Sequence, residues 1–161
     1  MVLASYKNNG HLYTVEPAQS FDIEIDANLA MHNTGNMDLS EYMSRMHDSV
    51  DQNLAYHILK DGVQVGMMYN RVTSLGYEGC CIYCVGDVIA TMVLLKSMFE
   101  VYDTHKILIT PFGGSLKYFI SMATPDSIRE FHLYGTPLTI VRSQLESQGP
   151  RLFKYLGIEV L

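Results

Sequence analysis

The chain has few charges, few cysteines and no long apolar run, and each shortage closes off a class of protein. Charged residues make up 17% of the 161 residues, against 48% apolar, with a formal net charge of −6. Lysine and arginine number 11 and form no run, so no sequence-wide surface for phosphate backbones exists and nucleic-acid binding has no support. The three cysteines, Cys80, Cys81 and Cys84, fall within one five-residue block. An odd, clustered set is not a disulfide framework. Cys81-x-x-Cys84 is half of a zinc pattern without its other half, so no metal site is expected. No G-x-S-x-G elbow, lysine-bearing P-loop or complete G-x-G-x-x-G is present. No apolar stretch is long enough to cross a bilayer. The opening MVLASYKNNGHLY lacks a basic segment followed by an apolar one, which reads as cytoplasmic synthesis. The low charge leaves surface for a protein partner or a second copy to cover.

What is there is a legible order of elements, read as one domain over 1–161, with residues 1–20 as a loosely ordered segment holding one short strand at His11–Val15. Phe21–Ile25 alternates apolar and acidic residues, the period of a half-exposed strand. Asp38-Leu39-Ser40-Glu41 has capping-box spacing and opens an amphipathic helix to about Val50. Leu54–Leu59 and Val63–Val72 flank Lys60-Asp61-Gly62, a strong hairpin signal. Cys80–Val85 completes an antiparallel meander. Asp87 is placed to cap a helix over Val88–Tyr102 that is apolar almost all round. Lys106–Thr110 is a short strand one helix-length on, expected to lie parallel to Cys80–Val85. Further helices are expected at Leu116–Met122 and Ser143–Leu156, the latter in two parts because of Pro150. Strand pieces are expected at Phe131–Tyr134, Leu138–Val141 and Ile158–Leu161, with Gly157 ending the last helix. This is an α+β (α/β-like) order: a mixed, mostly antiparallel central sheet flanked by helices.

The candidate chemistry is sparse. Thr110-Pro111-Phe112-Gly113-Gly114-Ser115 follows a strand and opens a helix, which suits a phosphate or pyrophosphate. Thr110, Gly113, Gly114 and Ser115 are its candidate cofactor-binding residues. His57 and His132 sit on predicted strands where either could act as a general base. Glu78 is an acid beside the third meander strand.

The element order over residues 21–161 resembles the GNAT N-acetyltransferase family. The run Arg151-Leu152-Phe153-Lys154-Tyr155-Leu156-Gly157-Ile158 is similar to the family's helix ending in L-Y-x-x-L-G-F. Glu78–Tyr118, with its Tyr102-Asp103-Thr104 helix end, also resembles acetyltransferase-like small internal virion proteins of short-tailed phages. The resemblance implies a GNAT-like fold and acyl transfer from acetyl-CoA to an amine on a small molecule or protein. The turn at 110–115 would then hold the cofactor. His57 or Glu78 would act as base through water, and Tyr134 or Tyr155 as acid, the family's usual acid position falling on Phe153. A second reading is a non-catalytic structural or interaction protein on an acetyltransferase-like scaffold, in a virion if of phage origin. A third is a module that binds another phosphorylated ligand at the same turn.

Overall fold

A computed structural model describes residues 2–20, 44, 47–73, 76–84, 87–109 and 116–161, with the backbone alone at 69, 71–73 and 76–84. The expected strand at Phe21–Ile25, the capping box at Asp38 and the turn at 110–115 lie outside the described residues. Residues 47–51 are helical, where the expected helix after Asp38 would end.

Eight strands form one sheet among the described residues: β1 (Ala4–Asn8), β2 (His11–Pro17), β3 (Ala55–Lys60), β4 (Val63–Thr73), β5 (Gly76–Cys84), β6 (Lys106–Ile109), β7 (Leu138–Val141) and β8 (Ile158–Val160). Their order across the sheet is β7-β6-β5-β4-β3-β2-β1-β8. Every neighbouring pair is antiparallel except β5 and β6. The class is α+β, as the element order indicated.

Two hairpins follow from local chemistry. Asp61 and Gly62 have φ of 52° and 83°, and Asn9 and Gly10 have 49° and 81°. Two successive positive φ values match the right-handed twist of the flanking strands, and Asn-Gly and Asp-Gly adopt them at least cost. The first twenty residues thus hold two strands in place of one, set between β3 and β8.

Helix α1 (Val88–Val101) is capped as expected: the Asp87 carboxylate accepts from the Ala90 N–H at 3.0 Å. Ala90 through Leu95 are all buried. A helix buried all round needs cover on two sides. The sheet supplies one through Tyr6, Tyr13, Val15, Tyr56, Ile58 and Met68, and Leu145 and Phe153 of a later helix supply the other. Fully burying a leucine such as Leu94 contributes about 2 kcal/mol.

After β6 come α2 (Leu116–Phe119), tightened into a 3₁₀ turn over Ile120–Met122, then α3 (Pro125–Tyr134) and α4 (Arg142–Leu156). Two expectations are corrected here. Phe131–Tyr134 is the last part of α3, not a strand. Thr124 caps the helix through the Ser127 N–H at 3.3 Å, Pro125 occupies the first turn, and Gly135 closes it at φ 67°. These end signals outweigh the β-propensity of Phe131 and Tyr134. The second correction is that α4 is one helix containing Pro150. Pro150 forgoes one i→i−4 hydrogen bond, and Gly149 before it removes the Cβ part of the clash with the proline ring. Gly157, at φ 73°, ends α4 as expected.

The edge strands β7 and β8 are joined by α4, whose 15 residues span about 22 Å. α1 lies between the sheet and α4.

Candidate functional site

β5 and β6 form the parallel step of the sheet, with Tyr77 to Gly79 opposite Ile107 to Ile109 among the described residues. On its other side β5 pairs with β4, where Tyr69 faces Cys81 and Asn70 faces Gly79. Cys80 is therefore the extra residue of a β-bulge, a feature that bends a strand locally. The carboxyl ends of two parallel strands are the usual ligand position in such sheets. Ile109 ends β6 there. Thr110, Gly113, Gly114 and Ser115 follow it in the chain, outside the described residues.

Helix α1 begins beyond the same end of β5, and its N-terminus is occupied. The two Asp87 oxygens accept from the Ala90 N–H and, at 2.9 Å, from the Tyr13 hydroxyl. A phosphate at this helix end would meet a carboxylate already bonded to one of the free N–H groups. The acid was visible in the sequence; its second partner, Tyr13, 74 residues away, was not.

The sequence-derived catalytic residues are spread over the fold. His57 lies on β3, half-buried with its Nε2 shielded from solvent. Its cross-strand neighbours are Glu16 on β2 and Met67 on β4. Glu78 lies on β5, opposite Arg71 on β4 and beside Leu108 on β6, two residues before the bulge at Cys80. Met67 and Arg71 are four residues apart on β4, which separates the backbones of His57 and Glu78 by about 16 Å. The two are alternative bases and not a pair. Tyr134 ends α3 and is 76% exposed, and Tyr155 near the end of α4 is 80% exposed. Phe153 is in the core, edge-on to Tyr6 at 6.4 Å between ring centroids. His132 sits on α3 and not on a strand, in edge contact with Phe131.

A second polar cluster joins the two hairpin turns. His11 Nδ1 and Asp61 Oδ2 are 2.6 Å apart, and the Leu12 N–H donates to Asp61 Oδ1 at 2.9 Å. The Leu12 N–H and then His11 hold the Asp61 carboxyl below its ordinary value of 3.8. A carboxyl with a lowered folded pKa stabilises the fold above its unfolded value, and the contribution fades as pH falls through the folded one. Asp61→Asn keeps a residue that tolerates positive φ but removes the charge. Acid denaturation followed by circular dichroism between pH 5 and 2 is expected to show a shallower loss of stability for the variant. An unchanged slope would mean that water already screens the contact.

A groove of about 450 Å³ lies between α1, α4 and β8, lined mainly by Phe99, Leu145, Pro150, Phe153, Ile158 and Val160. Lys96 sits at its side, paired with Glu100 and 5.7 Å from the centre of the Tyr6 ring. Partial burial works against its charge, but the Glu100 hydrogen bond and the nearby Tyr6 outweigh that and raise its pKa above 10.5. No group of three metal-ligating side chains occurs among the described residues. Among them, no helix is long and apolar enough to cross a membrane. No protein-family profile and no curated protein matches the chain.

Proposed function

We propose that this chain is a GNAT-like N-acyltransferase that takes an acyl-CoA thioester at the carboxyl ends of β5 and β6 and passes the acyl group to an amine. The observation that supports this most is the parallel step from β5 to β6, with a β-bulge at Cys80 beside it. The carboxyl ends of parallel strands are the usual ligand position in such sheets. Bound acyl-CoA supplies an activated thioester. Glu78, two residues before the bulge, removes a proton from the attacking amine through water, with His57 as the alternative base. A proton for the departing thiolate comes from Tyr155 or Tyr134. The phosphates lie at Thr110, Gly113, Gly114 and Ser115, since Asp87 closes the other helix end. The setting of this reading is the cytoplasm.

The second reading is a non-catalytic interaction protein on the same scaffold, a virion component if the chain is of phage origin. Two observations favour it: Asp87 fills the N-terminus of α1, and the family's acid position is the buried Phe153.

Calorimetric titration with acetyl-CoA, CoA and ATP separates the readings. The enzyme reading expects saturable binding of both CoA species, abolished by Gly114→Asp in a variant that still melts cooperatively. Heat with ATP alone transfers the site to another phosphorylated ligand. No heat from any of the three, with folded protein, leaves the interaction protein.

A further inference from the structure

Among the described residues the edge of the sheet at β8 is free, and it has the geometry of a peptide-docking strand. β8 ends the strand order and pairs only with β1 among the described residues. The Leu161 N–H donates to the Ser5 carbonyl at 3.0 Å, which makes Ser5 and Leu161 a hydrogen-bonded pair. Antiparallel pairs alternate. Lys7 and Glu159 are therefore the next bonded pair, and the Val160 opposite Tyr6 turns its N–H and C=O away from β1, toward the open edge. Ile158 and Val160 share one face of the strand, and both line the apolar groove. Val160 is 60% exposed. Glu159 points to the opposite face, beside Lys7 in the register.

We infer that β8 accepts an extended segment of a partner protein as a ninth strand. The added strand pairs with the outward groups of Val160 and sets alternate apolar side chains over the groove. Its intervening positions are basic. Charge fixes that choice. The chain is acidic overall at −6. Glu159 stands exposed on the edge strand across from Lys7, and Glu146, beside the groove, has no ion pair among the described residues, whereas the groove's cations are engaged, Lys96 by Glu100 and Arg142 by the Tyr102 and Thr104 carbonyls. A second copy of this chain fits less well, because the register overlapping all of β8 on itself sets Glu159 directly against Glu159. Like charges directly opposite are destabilising. The short strand and its charge limit self-pairing.

The test uses fluorescein-labelled, end-capped nine-residue peptides that alternate valine with lysine or valine with glutamate, followed by anisotropy. The expected result is saturable binding of the valine–lysine peptide and protection of the Val160 amide from hydrogen exchange. Val160→Pro removes only the outward N–H, so the ladder with β1 stays intact. It should weaken binding at least ten-fold without moving the melting temperature by more than a few degrees. Glu159→Lys should reverse the preference between the two peptides. Binding that survives Val160→Pro, or no saturable binding of the valine–lysine peptide, overturns the inference. So does a concentration-dependent dimer that Val160→Pro dissolves, since it makes a second copy the occupant.

Discussion

Arg142→Ala is expected to cost about 3 kcal/mol of folding stability, because one side chain there closes three elements. Its Nε donates to the Thr104 carbonyl at 2.7 Å and its Nη2 to the Tyr102 carbonyl at 2.6 Å. The guanidinium lies 5.2 Å from the centre of the Phe99 ring. Arg142 thus ties the start of α4 to the residue that ends α1 and to the approach to β6. Each charge-assisted hydrogen bond contributes about 1.5–3 kcal/mol, and the cation–π contact about 0.5–1 kcal/mol. They share one side chain and do not add in full. The positive charge also complements the carbonyl end of α1. Arg142→Lys cannot reach both carbonyls from one point charge and should recover less than half of the loss. Urea unfolding measures both, with the midpoint falling and the slope unchanged. A loss below about 1 kcal/mol would mean that water replaces the guanidinium at both carbonyls.

Asn70→Asp is expected to be worse, at more than about 3 kcal/mol near neutral pH. Asn70 is 1% exposed. Its Nδ2 donates to the Leu54 carbonyl at 2.8 Å, and the Ser49 hydroxyl both donates to its carbonyl and accepts from its N–H at 3.1 Å. These bonds fasten the helical turn at 47–51 to β4 beside the β5 bulge. The Oδ1 atom has no partner among the described residues. A carboxylate here would face the Leu54 carbonyl with an acceptor where a donor stood. The introduced carboxyl must be neutral to fit, so its folded pKa rises above the unfolded one. The folded state then binds more protons, and stability falls as pH increases from about 4 toward the raised value. Urea midpoints at pH 4 and pH 7 test this, with the variant closer to the parent at pH 4. Asn70→Ala, which introduces no charge, should cost only about 1–2 kcal/mol and show no such pH dependence. An Asn70→Asp penalty equal at both pH values would show that the carboxylate finds water or a cation.

Much of the scaffold was readable because its signals are local. Asp61-Gly62 dictates its hairpin through positive φ, Asp87 caps α1 through a neighbour three residues away, and Gly157 ends α4 in the left-handed region. The nearly unbroken apolar pattern of α1 announced the burial of Ala90 through Leu95. The parallel direction of β5 and β6 followed from the length of the helix between them, but the described pairing falls on Tyr77–Gly79, ahead of the strand expected from Cys80. Asn9-Gly10 carried the same hairpin signal as Asp61-Gly62, and the polar surroundings obscured it. Phe131–Tyr134 and Pro150 misled because single-residue propensities were set against end signals and a neighbouring glycine that decide the local backbone.

The site was legible only in fragments. Glu78 lies two residues before the bulge, but nothing in its neighbourhood of the chain shows that the ladder shifts at Cys80, because that depends on register against β4. His57 looked like a base for the same site, and the register sets it three strands into the sheet. Tyr13 closing on Asp87, and Arg142 on Tyr102, join residues tens of positions apart. The sequence by itself determined the hairpin at Asp61-Gly62, the start of α1, the end of α4 and the α+β class, since each depends on residue chemistry within a few positions or on patterning along the chain. Only the tertiary structure decided that the N-terminal hairpin lies between β3 and β8, that the β4–β5 ladder shifts at Cys80 and that β8 ends the strand order among the described residues. Those outcomes come from which strands share a ladder, and hydrogen-bond register between distant segments leaves no mark on the spacing of residues along the chain.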